Sequence, residues 1–334
     1  MIRDFGTLSD GTAVQEITLK KGPLEAAVLT YGATIRDLKF NGRSVVLGFD
    51  DLESYVAQGS YFGAVPGRCA NRIANATVTI DGTTYQLGAN ENGNQLHGGR
   101  TGFASRVWSL EQHDKGSVLL KYVSEDGEEG YPGRVEALVR YTLTGTGALR
   151  VKITATTDKP TIVNLTQHSY FNLDGGPDIL DHTVEIVADT YLPVDEAGLP
   201  TGEIRQVAWT PYDFRDGRKL RRKPGEEGVI FDHNFCLADA PRDEVEFAAA
   251  VEDRSGNCRM ELWTTEPGVQ LYDGSKVDVP VPGLEGRIYG PNAGLCLEPQ
   301  RWPDSANHDN FTNVLLRPGE TYTHVSEFRF TSEA

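Results

Sequence analysis

The sequence has little cysteine, which excludes a protein held together by disulfides. Its 334 residues include four cysteines, and these are scattered and form no Cys-x-x-Cys pair. We therefore expect small thiols that are buried or half-buried. They are Cys69, Cys236, Cys258 and Cys296.

Long apolar runs are also absent. No stretch of about 18 apolar residues occurs, as a membrane-spanning helix would need. Residues 1–22 carry no hydrophobic segment after their charges of the kind that a secretory signal has. The sequence thus predicts a soluble, cytoplasmic protein without a membrane partner.

Basic residues are scarce relative to acidic ones. The chain has 32 Lys and Arg against 48 Asp and Glu, a formal net charge of −16. Such a surface repels nucleic-acid phosphates and anionic lipids, so neither is an expected partner. One basic run, residues 215–222 (RDGRKLRR), could form a phosphate pocket, although a solvated loop or short helical face is the simpler interpretation.

Several motifs of common enzyme classes are missing. There is no His-Glu-x-x-His, and the seven histidines do not cluster at metal-ligand spacing, so we predict no catalytic metal. Neither a Gly-x-Ser-x-Gly elbow nor a Walker-type glycine loop occurs, which argues against a serine hydrolase and a nucleotide site.

Alternating apolar and polar residues with turn residues between them dominate what is present. Asp81-Gly82 separates two β-rich runs within residues 76–87 and predicts a hairpin, because both turn residues must accept positive φ. Residues 26–49 contain short strands broken at 31–32 and 41–42. Further β-rich runs are 118–123, 135–143, 148–157, 182–188, 258–265 and 324–331.

Helical periodicity is limited to one or two turns around residues 50–56 and a weak possibility at 248–253. Strands at short spacing without helices between them favour antiparallel sheets packed face to face. No linker or change of composition divides the chain. We therefore expect an all-β fold, one large antiparallel β-sandwich domain over residues 1–334 with few short helices.

Residues 161–173 (TIVNLTQHSYFNL), treated as a strand, have one unusual face. With a period of two, His168 and Tyr170 lie on the same face as Asn164, Thr166 and Asn172. A solvent-exposed strand would explain a generic polar face, but exposed faces normally carry Lys and Glu, which are absent here. Amides, a histidine and a tyrosine indicate hydrogen bonding to an uncharged molecule.

Two later segments repeat this arrangement. In 267–275, Gln270 and Tyr272 share a face, and in 294–304 Cys296 and Glu298 do so. Glu298 ends an apolar run beside Pro299, so it could be partly desolvated and suited to act as a general base. A structural glutamate paired with an arginine is an equally common explanation.

A third cluster surrounds His97 in residues 90–103. Gly98 and Gly99 free the backbone next to this histidine. Taken alone, a histidine beside a glycine turn is more often structural than catalytic.

Together these motifs resemble the aldose 1-epimerase (galactose mutarotase) family. The matching segments occur in family order over essentially the whole chain, and their combination is far more specific than any one of them. They are LTYGATI (29–35), GRCANRI (67–73), YQLGANENGNQLHGG (85–99), NLTQHSYFNL (164–173), DHNF (232–235), PGVQLY (267–272) and CLEPQRWPDSANHDNF (296–311).

The resemblance implies a galactose mutarotase-like β-sandwich with an open sugar cleft, and interconversion of the α and β anomers of a free aldose. By position, Glu298 matches the general base for the anomeric hydroxyl and His168 the general acid for the ring oxygen. His97 matches the second active-site histidine. The matching sugar-binding residues are Asn71, Arg72, Asp232 and Gln270.

Opening a hemiacetal needs a proton to leave one oxygen while another proton reaches the ring oxygen, so a carboxylate and an imidazolium on opposite sides of the sugar suit the reaction. Neither group needs a cofactor, and none is expected. Tyr170 or Trp302 could offer an apolar surface to the sugar C–H groups. The resemblance leaves open whether the protein is a monomer or a homodimer and which aldose it prefers.

Other functions remain possible at this stage. A hexose-6-phosphate 1-epimerase would need the basic run 215–222 to face the cleft. A non-catalytic sugar-binding module would keep the fold, but it has no use for both an acid and a base. A polysaccharide-processing domain would be expected to show a longer aromatic-lined groove, and no extended aromatic cluster is visible.

Overall fold

The fold is built almost entirely from antiparallel strands. The computed structural model describes residues 1–58 and 61–332. In chain order the strands are β1 (Ile2–Thr7), β2 (Ala13–Lys21), β3 (Leu24–Leu29), β4 (Ile35–Phe40), β5 (Arg43–Ser44), β6 (Arg72–Ile73), β7 (Thr77–Ile80), β8 (Thr83–Gln86), β9 (Gln95–Leu96), β10 (Ser109–His113), β11 (Ser117–Ser124), β12 (Val135–Leu143) and β13 (Ala148–Thr157). They continue as β14 (Thr161–Ile162), β15 (Thr183–Ile186), β16 (Thr190–Tyr191), β17 (Arg205–Gln206), β18 (Arg218–Lys219), β19 (Asp232–Cys236), β20 (Glu246–Glu252), β21 (Cys258–Thr264), β22 (Gly268–Tyr272), β23 (Cys296–Gln300), β24 (Leu315–Leu316) and β25 (Tyr322–Ser332).

Helical structure is short, as the sequence predicts. Helix α1 (Leu52–Gln58) lies close to the predicted turns at 50–56, and the Asp51 side chain accepts a hydrogen bond from the Ser54 amide at its start (2.8 Å). Single 3₁₀ turns complete the helical structure of the described residues. They span Ala74–Ala76, Phe103–Ser105, Glu128–Gly130, Leu284–Gly286 and Ser305–Asn307.

The largest sheet has nine strands in the order β10-β11-β12-β13-β25-β21-β20-β15-β18, and its pairs are antiparallel. Strand β12 shows how the sequence specifies it. Val135, Ala137, Val139, Tyr141 and Leu143 are buried, and the residues between them are partly exposed. Alternation of this kind is the pattern of a sheet with one face on the core.

Two five-stranded antiparallel sheets accompany it, in the orders β1-β2-β3-β4-β5 and β17-β16-β19-β22-β23. One hydrophobic cluster joins inward residues of all three sheets, among them Ile17, Val139 and Leu271. The sheets therefore pack face to face around a shared core, and the prediction of an all-β antiparallel sandwich with few short helices is confirmed. The extent of a single domain over 1–334 stays a prediction.

Local predictions are mostly confirmed. Strands β7 and β8 form the predicted hairpin, with Asp81 (φ 50°) and Gly82 (φ 78°) in the turn. The weak helical possibility at 248–253 is wrong, because residues 248–252 belong to strand β20, which pairs with β15 and β21. Packing between two strands outweighs the helix propensity of its three alanines.

The segment 161–173 is only in part the strand that its alternation predicts. It is a strand over Thr161–Ile162 and afterwards extended chain with isolated bridges at Asn164 and Phe171. Its backbone bonds instead to several separate segments, among them the 63–70 loop, as in His168 N to Ala64 O (2.9 Å). The whole segment is buried on both faces, so its polar face is not exposed to solvent.

Two absences noted in the sequence have structural counterparts. Cys69, Cys258 and Cys296 are buried free thiols, and Cys236 is partly buried. Among the described residues, no helix is long and apolar enough to cross a membrane.

Candidate active site

The five-stranded sheet β17-β16-β19-β22-β23 carries a row of polar side chains on the face that points away from the core. Asn234 of β19 pairs with Gln270 of β22, which pairs with Glu298 of β23. Gln270 Nε2 donates to Asp232 Oδ1 at 2.7 Å. Because the intervening residues Phe235, Val269 and Leu297 join the core, these amides and carboxylates face the other way, towards a cleft.

A short ribbon forms a second wall of this cleft. Strands β6 and β9 pair through Arg72 and Leu96, which places His97 beside Asn71. The backbone N–H of Asn71 donates to His97 Nδ1 (3.1 Å), and the backbone N–H of His97 donates to the backbone carbonyl of Asn71 (2.9 Å). Both residues have left-handed backbone (φ 61° and 53°), a conformation that costs energy and concentrates at functional sites.

The 161–173 segment supplies the third wall. The His168 backbone is fixed on both sides, by Ala64 O and by the amide of Gly63, each at 2.9 Å. His168 Nε2 lies 3.5 Å from Glu298 Oε2. The acid and base candidates therefore lie side by side in the cleft, whereas the expectation from the sequence is that they lie on opposite sides of a sugar.

Burial governs the electrostatics of this pair. Glu298 is 2% exposed, and desolvation, with the nearby Asp232 charge, raises the pKa of its carboxyl well above the ordinary value despite Arg72. Desolvation also lowers the pKa of His168 to about 4. Each group prefers its neutral form, so around neutral pH the pair holds one proton.

Arg72 links two carboxylates in the same cleft. Its guanidinium forms a bidentate pair with Glu91 (2.6 and 3.1 Å), and its Nη1 lies 4.0 Å from Asp232 Oδ2. Burial raises the pKa of Asp232, and the Arg72 charge opposes this. The fork geometry of arginine suits both the carboxylates and sugar hydroxyls.

His97 is neutral in this environment. Desolvation lowers its pKa well below the ordinary value, and the nearby His168 and Arg72 add to this. Since Nδ1 accepts the Asn71 amide hydrogen, the ring proton resides on Nε2, which can donate to a ligand.

His97, His168 and Glu298 are close enough to hold a metal ion, with one ligand atom from each within 4.8 Å of the others. A metal needs a free lone pair on each imidazole. In a neutral His97, one nitrogen accepts a hydrogen bond and the other carries the proton, so the donor set fits a metal poorly. The absence of a catalytic metal stays a prediction.

The structure brings most of the predicted residues together. Seven line one cleft and Gln270 lies just beneath it, holding Asp232. Trp302 does not take part, because its indole is buried and donates to Pro267 O (3.0 Å), so of the two aromatic candidates only Tyr170 lines the cleft. The seven are Asn71, Arg72, His97, His168, Tyr170, Asp232 and Glu298.

Sequence reasoning missed other residues of the cleft: Tyr61, Glu91, Tyr272 and Lys276. The centre of the Tyr61 ring lies 4.5 Å from the ring centre of His97 and 6.0 Å from that of His168. Glu91 belongs to the motif that contains His97, and Tyr272 shares a strand face with Gln270, so both carried a signal. Tyr61 lies outside the described helices and strands and Lys276 lies in a turn, so strand periodicity gives no signal for either.

The basic run 215–222 lies elsewhere, and none of its residues lines the cleft. Its cations are paired with carboxylates: Arg215 with Asp189 and Asp213, Arg218 with Glu226, Lys219 and Arg221 with Asp181, and Arg222 with Asp273. The charges of this run are therefore largely neutralised within the protein.

Comparison with known proteins agrees with the fold. The family model described as aldose 1-epimerase matches residues 15–329. Galactose mutarotase from Rattus norvegicus is 44% identical over 336 residues, which cover 98% of this chain and 97% of the relative. Aldose 1-epimerase from Escherichia coli is 36% identical over 339 residues, covering 97% of each.

Solved structures match equally completely. The crystal structure of an aldose epimerase homologue from C. elegans has a TM-score of 0.90 and 32% identity, covering 96% of this chain and all of that one. That of galactose 1-epimerase from Lactobacillus acidophilus has a TM-score of 0.87 and 28% identity, covering 100% and 99%. The chain therefore belongs to the aldose 1-epimerase family, and it is an isomerase-type enzyme that acts on carbohydrates.

Proposed function

We propose that this protein interconverts the α and β anomers of free aldoses such as galactose or glucose, with Glu298 as the base and His168 as the acid. The observation that carries the proposal is the 3.5 Å separation of His168 Nε2 and Glu298 Oε2, two side chains buried in the cleft. The two oxygens that exchange protons in this reaction are bonded to the same carbon, so an acid and a base side by side reach both.

The proton balance closes without a cofactor. The carboxylate of Glu298 takes the proton from the anomeric hydroxyl while the imidazolium of His168 protonates the ring oxygen, and the bond between the anomeric carbon and the ring oxygen breaks. The open-chain aldehyde rotates about its first carbon–carbon bond. The ring then closes on the other face, and both protons return to the groups that held them.

The neutral resting pair is ready for this reaction. One proton shared by Glu298 and His168 can lie on the carboxyl or on the imidazole, and moving it between them creates the carboxylate and the imidazolium together. Burial makes that charged form costly when no sugar is bound. Bound sugar hydroxyls and the nearby Arg72 supply hydrogen bonds and charge that favour it.

The rest of the cleft fits an uncharged, hydroxylated ligand. Asn71, Arg72, Asp232 and the Nε2 of His97 offer donors and acceptors, and Tyr170 offers an apolar ring face. A hexose 6-phosphate receives no support from the basic run 215–222, which lies outside the cleft and is ion-paired. A purely sugar-binding module would have no use for the buried acid–base pair.

Polarimetry on freshly dissolved α-D-galactose and α-D-glucose tests the proposal. The wild-type protein should accelerate the approach to equilibrium, and Glu298→Gln and His168→Asn should each lose about 10²–10⁴-fold in rate. Sugar binding by calorimetry and circular dichroism serve as controls for folding. Retention of the wild-type rate by either variant would remove that residue from its role, and sugar binding without anomer exchange by the wild type would support the binding module.

A further inference from the structure

Cys296 is a buried thiol that lies directly against the candidate acid. It is on β23, two residues before Glu298, so both side chains project from the same face of the strand. Its Sγ lies 3.5 Å from His168 Nδ1, and Glu298 Oε2 lies 3.5 Å from the other ring nitrogen, Nε2. A single strand face thus contacts both nitrogens of the imidazole.

Tyr170 also contacts the Cys296 sulfur. This residue hydrogen-bonds to the Cys296 thiol, and its ring centre lies 5.1 Å from that of His168. The thiol is 0% exposed, so water does not compete for the Nδ1 contact. Neither burial nor pairing makes this sulfur reactive, because desolvation raises its pKa well above the ordinary value and keeps it a thiol.

We propose that Cys296 is a positioning residue for His168, whose Nδ1–H donates to the Cys296 sulfur and so leaves Nε2 as the nitrogen that takes up and gives away the proton. The inference rests on the proposed function, in which His168 is the acid. A neutral histidine carries its proton on one nitrogen, and the partner of the other decides which. With Nδ1–H held by the sulfur, the lone pair on Nε2 faces Glu298 and the sugar.

The choice of sulfur also fits the reaction. Carboxylates and carbonyl oxygens are the common partners of a histidine Nδ1–H, and they stabilise the imidazolium strongly. A thiol sulfur is a weak acceptor, so the ring keeps its orientation while its imidazolium remains a strong acid. The other titratable groups against the ring are Glu298, Tyr170, His97 and Tyr61.

The test combines Cys296→Ala and Cys296→Ser with Cys258→Ala as a matched control, since Cys258 is a buried thiol on β21 outside the cleft. We expect Cys296→Ala to lower kcat about tenfold with KM nearly unchanged. Cys296→Ser should restore kcat to within about threefold of wild type and move the acid limb of its pH profile upwards, because oxygen is the stronger acceptor. Cys258→Ala should leave kcat and its pH profile unchanged.

Nitrogen-15 NMR of histidine-labelled protein reads the tautomer directly, with the His168 signals identified by their loss in His168→Asn. The wild type should show the Nδ1–H form, and Cys296→Ala a mixture of tautomers. An Nε2–H form in the wild type, or a Cys296→Ala variant with wild-type kcat and pH profile, overturns the inference. If His168→Asn itself kept full activity, the proposed function would fail instead, so the two failures are distinguishable.

Discussion

At the scale of single residues, the protonation of Glu298 and His168 sets the pH range of activity. The working pair carries one proton, so activity falls when a second proton binds as the pH drops through the His168 pKa of about 4. It also falls when the single proton is lost as the pH rises through the raised Glu298 pKa. We expect a broad plateau of kcat/KM whose acid limb lies below the ordinary histidine range.

Polarimetric initial rates between about pH 3.5 and 9, corrected for the uncatalysed reaction, measure this profile. Short pH jumps keep the protein folded at the acid end. An acid limb already near pH 6.5, the ordinary histidine value, would show that His168 is not desolvated as the structure indicates.

The burial that adapts Glu298 to catalysis should cost stability. A carboxyl whose pKa is raised by folding favours the folded state in its protonated form, and this stabilisation is lost as the pH rises through the folded pKa. Glu298→Gln removes the titration. The free energy of unfolding of this variant should therefore rise relative to that of the wild type by up to ~1.4 kcal/mol for each pH unit above the ordinary glutamate range.

Urea unfolding at pH 4.5 and pH 8 measures the difference. The gain should be larger at pH 8, while catalysis is lost at both. A variant destabilised equally at both pH values would indicate that Glu298 is held by hydrogen bonds that the amide cannot replace.

At the scale of elements, the turn after β9 needs glycine at position 98, because a side chain there would collide with the loop that contains Gly67. Gly98 has φ +87°, and a Cβ there would lie 1.8 Å from the Gly67 carbonyl oxygen. Gly98→Ala must move the backbone beside His97, so we expect kcat to fall at least about tenfold and Tm to drop. Misplacement of a site residue by even about 1 Å is known to be costly.

Gly93→Ala is the matched control for this prediction. Gly93 also has positive φ (+84°), but its Cβ would meet nothing within 4 Å. It should lose only about 1 kcal/mol of stability and keep kcat. Equal effects of the two substitutions on kcat would mean that backbone strain, and not space, decides the position of His97.

Elements with local signals were predictable, and elements defined by distant partners were not. The Asp81-Gly82 hairpin and the strand at 135–143 follow from turn chemistry and alternation alone. Residues 161–173 alternate like a strand, but separate loops satisfy their backbone, and no local pattern reports this. The strand at Glu246–Glu252 was missed for the same reason, since its neighbours β15 and β21 decide its conformation.

At the scale of the whole molecule, buried neutral histidines should make the fold acid-sensitive. Burial lowers the pKa values of His168 and His233 to about 4, and those of three other histidines also fall. The unfolded chain binds these protons from about pH 6.5. Their stabilisation is therefore complete above pH 6.5 and is lost as the pH falls towards 4.

Each such histidine contributes up to ~1.4 kcal/mol per pH unit in this window. Urea unfolding at pH 7.5, 6 and 5 should show stability falling steadily. In His233→Gln the free energy of unfolding should fall less steeply with decreasing pH, because one proton fewer is taken up on unfolding. An identical pH dependence in this variant would mean that His233 is charged in the folded state.

The candidate site was predictable only through the combined motifs. Its groups come from segments as far apart as Asn71 and Glu298, and they meet in one cleft because the sheet of β19, β22 and β23, the β6–β9 ribbon and the 161–173 segment lie together. Residue type and the family resemblance identified the eight candidates. Trp302 shows that aromatic character alone does not place a side chain in the cleft. Tyr61 and Lys276 lie in irregular segments and had no periodic pattern to announce them.

Glu298 Oε2, which faces His168 Nε2 at 3.5 Å, bears on which sugars the cleft can hold. This buried oxygen accepts no hydrogen bond from the described residues, and in the proposed reaction it accepts one from the anomeric hydroxyl. A methyl glycoside has a methyl group in place of that hydrogen and leaves the oxygen unsatisfied, which costs roughly 1–3 kcal/mol. Calorimetry should therefore show methyl galactosides binding at least about fivefold more weakly than galactose. Sugars that are locked in glycosidic linkage would thus be weaker competitors for the cleft than sugars with a free reducing end.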